Sequence, residues 1–153
     1  MKTMASLIRD HLFMVGIDEQ YIETVAGCAR NVVYSAGTYI FREGSLANAF
    51  FLIREGHVAL EVYAPQLGNR VVQTLGPQEI LGEAWLVPPY VHDFDARATE
   101  NVRAFAFDAG CLRGKCEADP AIGYTLMKRF VPIVVQRLQA ARLQVMDVYA
   151  KAS

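Results

Sequence analysis

The sequence predicts a mainly β chain, an antiparallel sandwich or barrel set between helices, on three observations. Turn signals recur about every eight to twelve residues between Ser35 and Pro77. Several of the runs between them alternate in period two, as in Val58, Leu60, Val62 and in Val102, Ala104, Ala106; that is the period of a half-buried strand. On either side of residues 31–108 the pattern becomes helical.

The elements follow in order. Residues 13–30 read as a helical lead, because Asp18 is a good N-cap for Tyr21, Ile22, Val25 and Ala26 at helical spacing. Extended runs come next: Asn31–Tyr34, Thr38–Phe41, Ala49–Ile53, Val58–Tyr63, Val71–Leu75 and Val102–Phe107. Gly37, Gly44, Gly56, Gly68 and Gly76 punctuate them. Residues 109–150 are helical again. Asp119-Pro120 opens the long helix with an N-cap and a proline at its first position, and the pattern runs to about Tyr149. Pro132 lies inside it and is expected to bend it.

Met127, Val131, Val134, Leu138, Ala141, Val145 and Val148 follow steps of four and three, a heptad seam. The seam can pack on the chain's own sheet or on a second helix. Its second half outruns what a small sheet covers, so a parallel homodimer through this helix is expected. The 153 residues form one domain, 1–153, with no repeat.

Composition excludes several classes. With 53% hydrophobic residues the chain is not disordered, and its net charge of −1 sets up no global field for nucleic acid or membrane. Residues 1–108 carry thirteen acids and eight bases, whereas 109–153 carry three and seven. Lys128, Arg129, Arg137 and Arg142 scatter round the long helix and read as a solvated outer face. No apolar stretch is long enough to span a membrane, and Met1–Phe13 is no secretory signal. Cys28, Cys111 and Cys116, an odd count without export signals, read as reduced thiols in a cytoplasmic protein. His11, His57 and His92 lie far apart, so no metal is expected. Nucleophile-elbow, P-loop and dinucleotide motifs are absent, so the chain does not read as an enzyme.

One series of residues carries more. Tyr39–Ser45, Phe50–Leu60, Leu75–Glu83 and Ala96-Arg97-Ala98 set two hairpin glycines and a Gly82-Glu83 pair in a fixed order. This series resembles the cyclic-nucleotide-binding domain of catabolite-activator-type regulators and protein kinase A regulatory subunits, over roughly Phe13 to Val148. The resemblance implies an eight-stranded β jelly roll with a leading helix and a long final one. It implies a ligand cradle at Gly82, Glu83, Ala84 and Trp85, with Glu83 accepting from a ribose hydroxyl and the Ala84–Val87 turn facing the cyclic phosphate. The family's phosphate-binding arginine and its following serine or threonine fall at His92 and Asp93.

That pair is the main departure, since a neutral imidazole and a carboxylate stand where a cation is needed. Arg97 is the remaining nearby cation, and it reads as a surface partner for Asp93 and Asp95. On the long helix, Ala141 and Arg142 fall where the family's threonine–serine pair reaches the purine. Gln78 stands where the family's turn usually has glycine. Trp85, Pro88, Pro89, Tyr90 and Phe94 crowd the intervening stretch. They imply a filled pocket or one suited to a planar, less anionic ligand, unless Trp85 and Phe94 pack into the core. No cofactor is expected beyond a cyclic nucleotide or other small ligand.

Two functions remain. One is a cytoplasmic sensor binding a nucleotide or small anion between jelly roll and long helix, with ordinary cyclic AMP bound weakly. The other is a ligand-free adaptor that uses the scaffold and the helix to bind a protein partner. The sequence ends before a helix-turn-helix, so no direct DNA contact is expected.

Overall fold

Short aspartates start the helices where the sequence places them. The computed structural model describes residues 2–152, apart from the side chains of Val148, Lys151 and Ala152. The Asp18 carboxylate accepts from the Gln20 amide at 2.9 Å and that of Asp119 from the Ala121 amide at 3.1 Å. Helix α1 (Met4–Arg9) comes first, a 3-10 turn (Leu12–Met14) follows, and Asp18 caps α2 (Glu19–Ala26). Helices α3 (Ala109–Ala118) and α4 (Pro120–Ala152) close the chain, α4 running a little past the expected end.

Eight strands lie between. They are β1 (Ala29–Tyr34), β2 (Tyr39–Phe41), β3 (Ala49–Glu55), β4 (Val58–Ala64), β5 (Gly68–Leu75), β6 (Ile80–Leu81), β7 (Asp95–Ala98) and β8 (Val102–Asp108). They form two four-stranded antiparallel sheets, ordered β1-β8-β3-β6 and β2-β7-β4-β5. This is the β jelly roll that the sequence implied.

Strand alternation builds two cores at once. On β3 and β8, Phe50, Leu52, Phe105 and Phe107 face the helices, where they meet Ile8, Met14, Ile22, Leu126 and Phe130. Their neighbours Phe51, Ile53, Ala104 and Ala106 face the other sheet, with Leu60, Leu75, Ala96 and Ala98. Both faces of these strands are therefore buried, and α4 is fixed to the roll by Ile122, Leu126 and Phe130.

Two sequence expectations are corrected. Cys28 and Cys111 are joined in a disulfide across 83 residues of sequence, and Cys116 alone is free. The fold brings the end of α2 beside the start of α3, where the Asp108 amide donates to the Cys28 carbonyl at 2.9 Å. Arg97 does not serve Asp93 or Asp95. Alternation in β7 turns Ala96 and Ala98 inward and Asp95 and Arg97 outward, where Arg97 pairs with Glu61 of β4 at 3.0 Å. Asp95 is held instead by Arg42 at 3.1 Å and by the Glu43 amide at 2.7 Å.

Gly56 makes the β3–β4 hairpin with φ +88°, and a Cβ there would lie 2.2 Å from the Asn101 carbonyl oxygen. Gly37, with φ +87°, has open space around it. Gly56→Ala is therefore expected to lose more stability than the roughly 1–3 kcal/mol of a strained backbone position, and Gly37→Ala to stay within that range. Urea denaturation of the two variants checks the ranking.

Candidate functional site

The site begins where β6 ends. Gly82, at φ +90°, turns the chain into a 3-10 segment, Glu83–Leu86. A Cβ at Gly82 would come within 3.2 Å of the Ala49 carbonyl, so close packing and backbone sign both favour glycine. Within the turn, Trp85 points into the helix-side core, stacked on Phe50 at 5.1 Å and edge-on to Phe130 at 5.4 Å. Glu83, Ala84 and Val87 line a cavity instead.

The cavity measures about 660 Å³ and lies between the jelly roll and α4. Phe41, Leu60, Val62 and Phe94 form its apolar side, and Pro88 and Pro89 part of its rim. From α4 come Val134, Arg137, Leu138 and Ala141. His92 and Asp93 also line it, brought there by backbone bonds in which the His92 amide donates to Ser45 and its carbonyl accepts from Gly44.

His92 lies flat on Phe41, ring centroids 3.6 Å apart and planes 5° apart. Burial lowers its pKa to about 4, so the imidazole is neutral at physiological pH. The buried cation of the cavity comes from the helix. Arg137 is only 4% exposed. Its Nη2 donates to the Ile80 carbonyl and its Nη1 to the Gln136 side chain at 3.4 Å. Nε lies 3.8 Å from Glu83 Oε1, within ion-pair range but beyond a hydrogen bond, and has no hydrogen-bond partner. Burial lowers its pKa, while the Glu83 and Glu79 carboxylates oppose that shift.

The structure thus gathers Gly82, Glu83, Ala84, His92 and Asp93 around one cavity, with Val134, Leu138 and Ala141 of the heptad stripe. Trp85 and Arg142 are not part of its wall. Trp85 is fully buried in the core, and Arg142 is exposed. Arg137, expected from the sequence on a solvated outer face, is instead buried at the cavity wall. It continues the inward row Ile122, Leu126, Phe130, Ile133, and that spacing was the signal available to place it. Among the described residues, no group of three His, Cys, Asp or Glu side chains is placed to hold a metal ion.

Comparison with known proteins agrees with this architecture. The sequence profile of the cyclic nucleotide-binding domain matches residues 31–119, and the chain belongs to that family. It is 28% identical over 103 residues to the cAMP-dependent protein kinase regulatory subunit of Schizosaccharomyces pombe, covering 67% of this chain and 24% of that protein. It is 23% identical over 132 residues to the CRP-like cAMP-activated global transcriptional regulator of Mycobacterium tuberculosis, covering 86% and 57%. The chain therefore spans less than two thirds of either relative. A candidate cyclic nucleotide-binding protein from Geobacter metallireducens superposes with a TM-score of 0.78 at 28% identity, covering 88% of this chain and 97% of that one.

The buried imidazole has a pH consequence. The folded pKa of His92 lies below the unfolded value of 6.5, so its contribution is intact above pH 6.5 and is lost as pH falls toward 4. About 3 kcal/mol should go between pH 7 and pH 4 from this group alone. His11, whose pKa burial also lowers, acts in the same direction. A His92→Phe variant, which keeps the stack but cannot titrate, should lose correspondingly less stability over that range. Thermal denaturation of both proteins as a function of pH measures the difference.

Proposed function

We propose that this member of the cyclic nucleotide-binding domain family is a regulatory sensor. Its cavity takes a small planar molecule with a single anionic group, and it binds ordinary cyclic AMP and cyclic GMP weakly. One observation carries the reading: a buried guanidinium, Arg137, whose Nε lacks a hydrogen-bond partner at the cavity wall. A buried charge is costly unless it is fully hydrogen-bonded, and an anionic ligand oxygen supplies the missing acceptor.

The other side chains divide the remaining roles. Glu83 can accept from a ligand hydroxyl, since it pairs only loosely with Arg137 at 3.8 Å. Phe41, Leu60, Val62 and Phe94 offer an apolar bed for a flat ring. His92 donates or accepts as a neutral group, and the Asp93 carboxylate repels a phosphate at that end of the cavity. A charge-assisted hydrogen bond from an arginine is worth about 1.5–3 kcal/mol, so replacing one by a neutral histidine weakens phosphate binding about tenfold or more.

The outer face of α4 supports a homodimer. Met127, Val131, Val134, Leu138 and Val145 are each 44% or more exposed on one stripe, an apolar seam that a second copy would cover. Val148 belongs to the same heptad, but its side chain lies outside the described ones. No helix among the described residues is long and apolar enough to cross a membrane.

Two experiments test these statements. In thermal-shift assays, cyclic AMP and cyclic GMP at about 0.1 mM should leave the melting temperature unmoved, whereas His92→Arg combined with Asp93→Ser should create a response. A panel of aromatic carboxylates should include compounds that stabilise the wild type and fail to stabilise Arg137→Leu. Stabilisation by about 2.7 kcal/mol at micromolar cyclic AMP would contradict the reading. For the dimer, Leu138→Glu with Val145→Glu should give folded monomers in sedimentation, the wild type sedimenting as a dimer at tens of micromolar. A monomeric wild type rejects the seam.

A further inference from the structure

Arg113 of α3 holds both ends of the segment that forms the cavity rim. Its Nη1 donates to the Trp85 carbonyl at 2.7 Å, and its guanidinium lies 4.2 Å over the Tyr90 ring. Tyr90 has φ +58°, a left-handed backbone unusual for an aromatic residue. Its carbonyl accepts from the Ala47 amide at 2.7 Å. Between Trp85 and Tyr90 lie Val87, Pro88 and Pro89, all in the cavity wall.

Two residues before Arg113, on the same helix, Cys111 is bonded to Cys28 at the end of α2. The start of α3 has other holds: the Asp108 carboxylate accepts from the Cys111 amide at 2.7 Å, and the Ala109 amide donates to Asn48 at 2.9 Å. Cleaving the disulfide would therefore loosen the helix start without releasing it.

We infer that the Cys28–Cys111 disulfide is a redox latch on the cavity rim, acting through Arg113 as a positioning residue. Oxidised, it fixes α3 and keeps the rim closed; reduced, it lets the Arg113 clamp and residues 83–94 open more often. The inference rests on the reading of this cavity as a ligand site only for its consequence, a redox-dependent affinity. The chemistry is thiol–disulfide exchange with a small thiol such as glutathione. Cys111 is partly exposed and Cys28 is buried, so a thiolate attacks the Cys111 sulfur. The protein S–S bond breaks, and Cys28 leaves as a thiolate and takes a proton. A second glutathione cleaves the mixed disulfide, releasing the Cys111 thiol and oxidised glutathione.

Hydrogen exchange read by mass spectrometry, which needs no ligand, tests the latch in a Cys116→Ser background. Reduction with dithiothreitol should speed exchange in residues 83–94 by about tenfold, the scale of one charge-assisted hydrogen bond, while the β4–β5 hairpin stays protected. Arg113→Ala should show the faster rim exchange in both redox states. Cys111→Ser should match the reduced protein and ignore dithiothreitol. The latch is overturned by any of three results: an unchanged rim on reduction, a rise spread evenly over the chain, or an undiminished redox response in Arg113→Ala. It is also overturned if Cys28 and Cys111 stay free in oxidised glutathione. A failed ligand screen alongside a positive exchange result would instead sink the sensor reading and leave the latch standing.

Discussion

A guanidinium removed from water must find polar partners in the protein, and Arg137 finds a hydrogen bond on β6 and an ion pair at the turn after it. Its bond to the Ile80 carbonyl and its approach to Glu83 tie the middle of α4 to the strand that leads into the Gly82 turn. The same side chain forms part of the cavity wall, so helix position and cavity chemistry depend on one residue. Upstream, α4 is set by apolar packing of Ile122, Leu126 and Phe130. At Arg137 that packing row gives way to a charge, and this marks where the helix stops serving the core and starts serving the cavity.

The charges of the cavity are divided between its two sides. The stacked, neutral His92 and the acidic Asp93 stand on the jelly-roll side, and the buried cation, Arg137, projects from the helix. Arg97 adds no charge to this wall. It is held on the outer face by Glu61, within a group in which Arg42 neutralises Asp95. Glu61 and Asp95 sit directly opposite in the β4–β7 register, so each arginine screens a cross-strand repulsion of like charges. That requirement engages both arginines away from the cavity.

Much of the fold was legible in local chemistry. The capping aspartates, the hairpin glycines and the period-two runs each act over a few residues, and each appears where the sequence places it. Gln78 shows the same logic from the other side: the turn needs a left-handed residue, and glutamine takes φ +72° while its side chain accepts from the Leu12 amide at 2.6 Å. What was hidden depends on distant partners. Strands β6 and β7 are short or charged, and they exist because β3 and β4 pair with them. The Cys28–Cys111 bond joins residues 83 apart in sequence. The burial of Arg137 does not follow from its charge, which says nothing about which face of a helix is covered; its place in the Ile122–Ile133 row is the signal.

The long helix therefore carries two stripes with different tasks. The inner one, Ile122 to Arg137, fixes the helix to the roll; the outer one, Met127 to Val145, is apolar and exposed. The stripes are not independent, because Val134 and Leu138 belong to the outer stripe and to the cavity wall at once. Any ligand that presses on those two side chains changes the surface offered to a second helix. Any helix that covers them changes the cavity in turn. Linkage requires the two effects to be equal in free energy. In the proposed sensor no separate relay is needed, since Val134 and Leu138 would meet a ligand on one side and a second helix on the other.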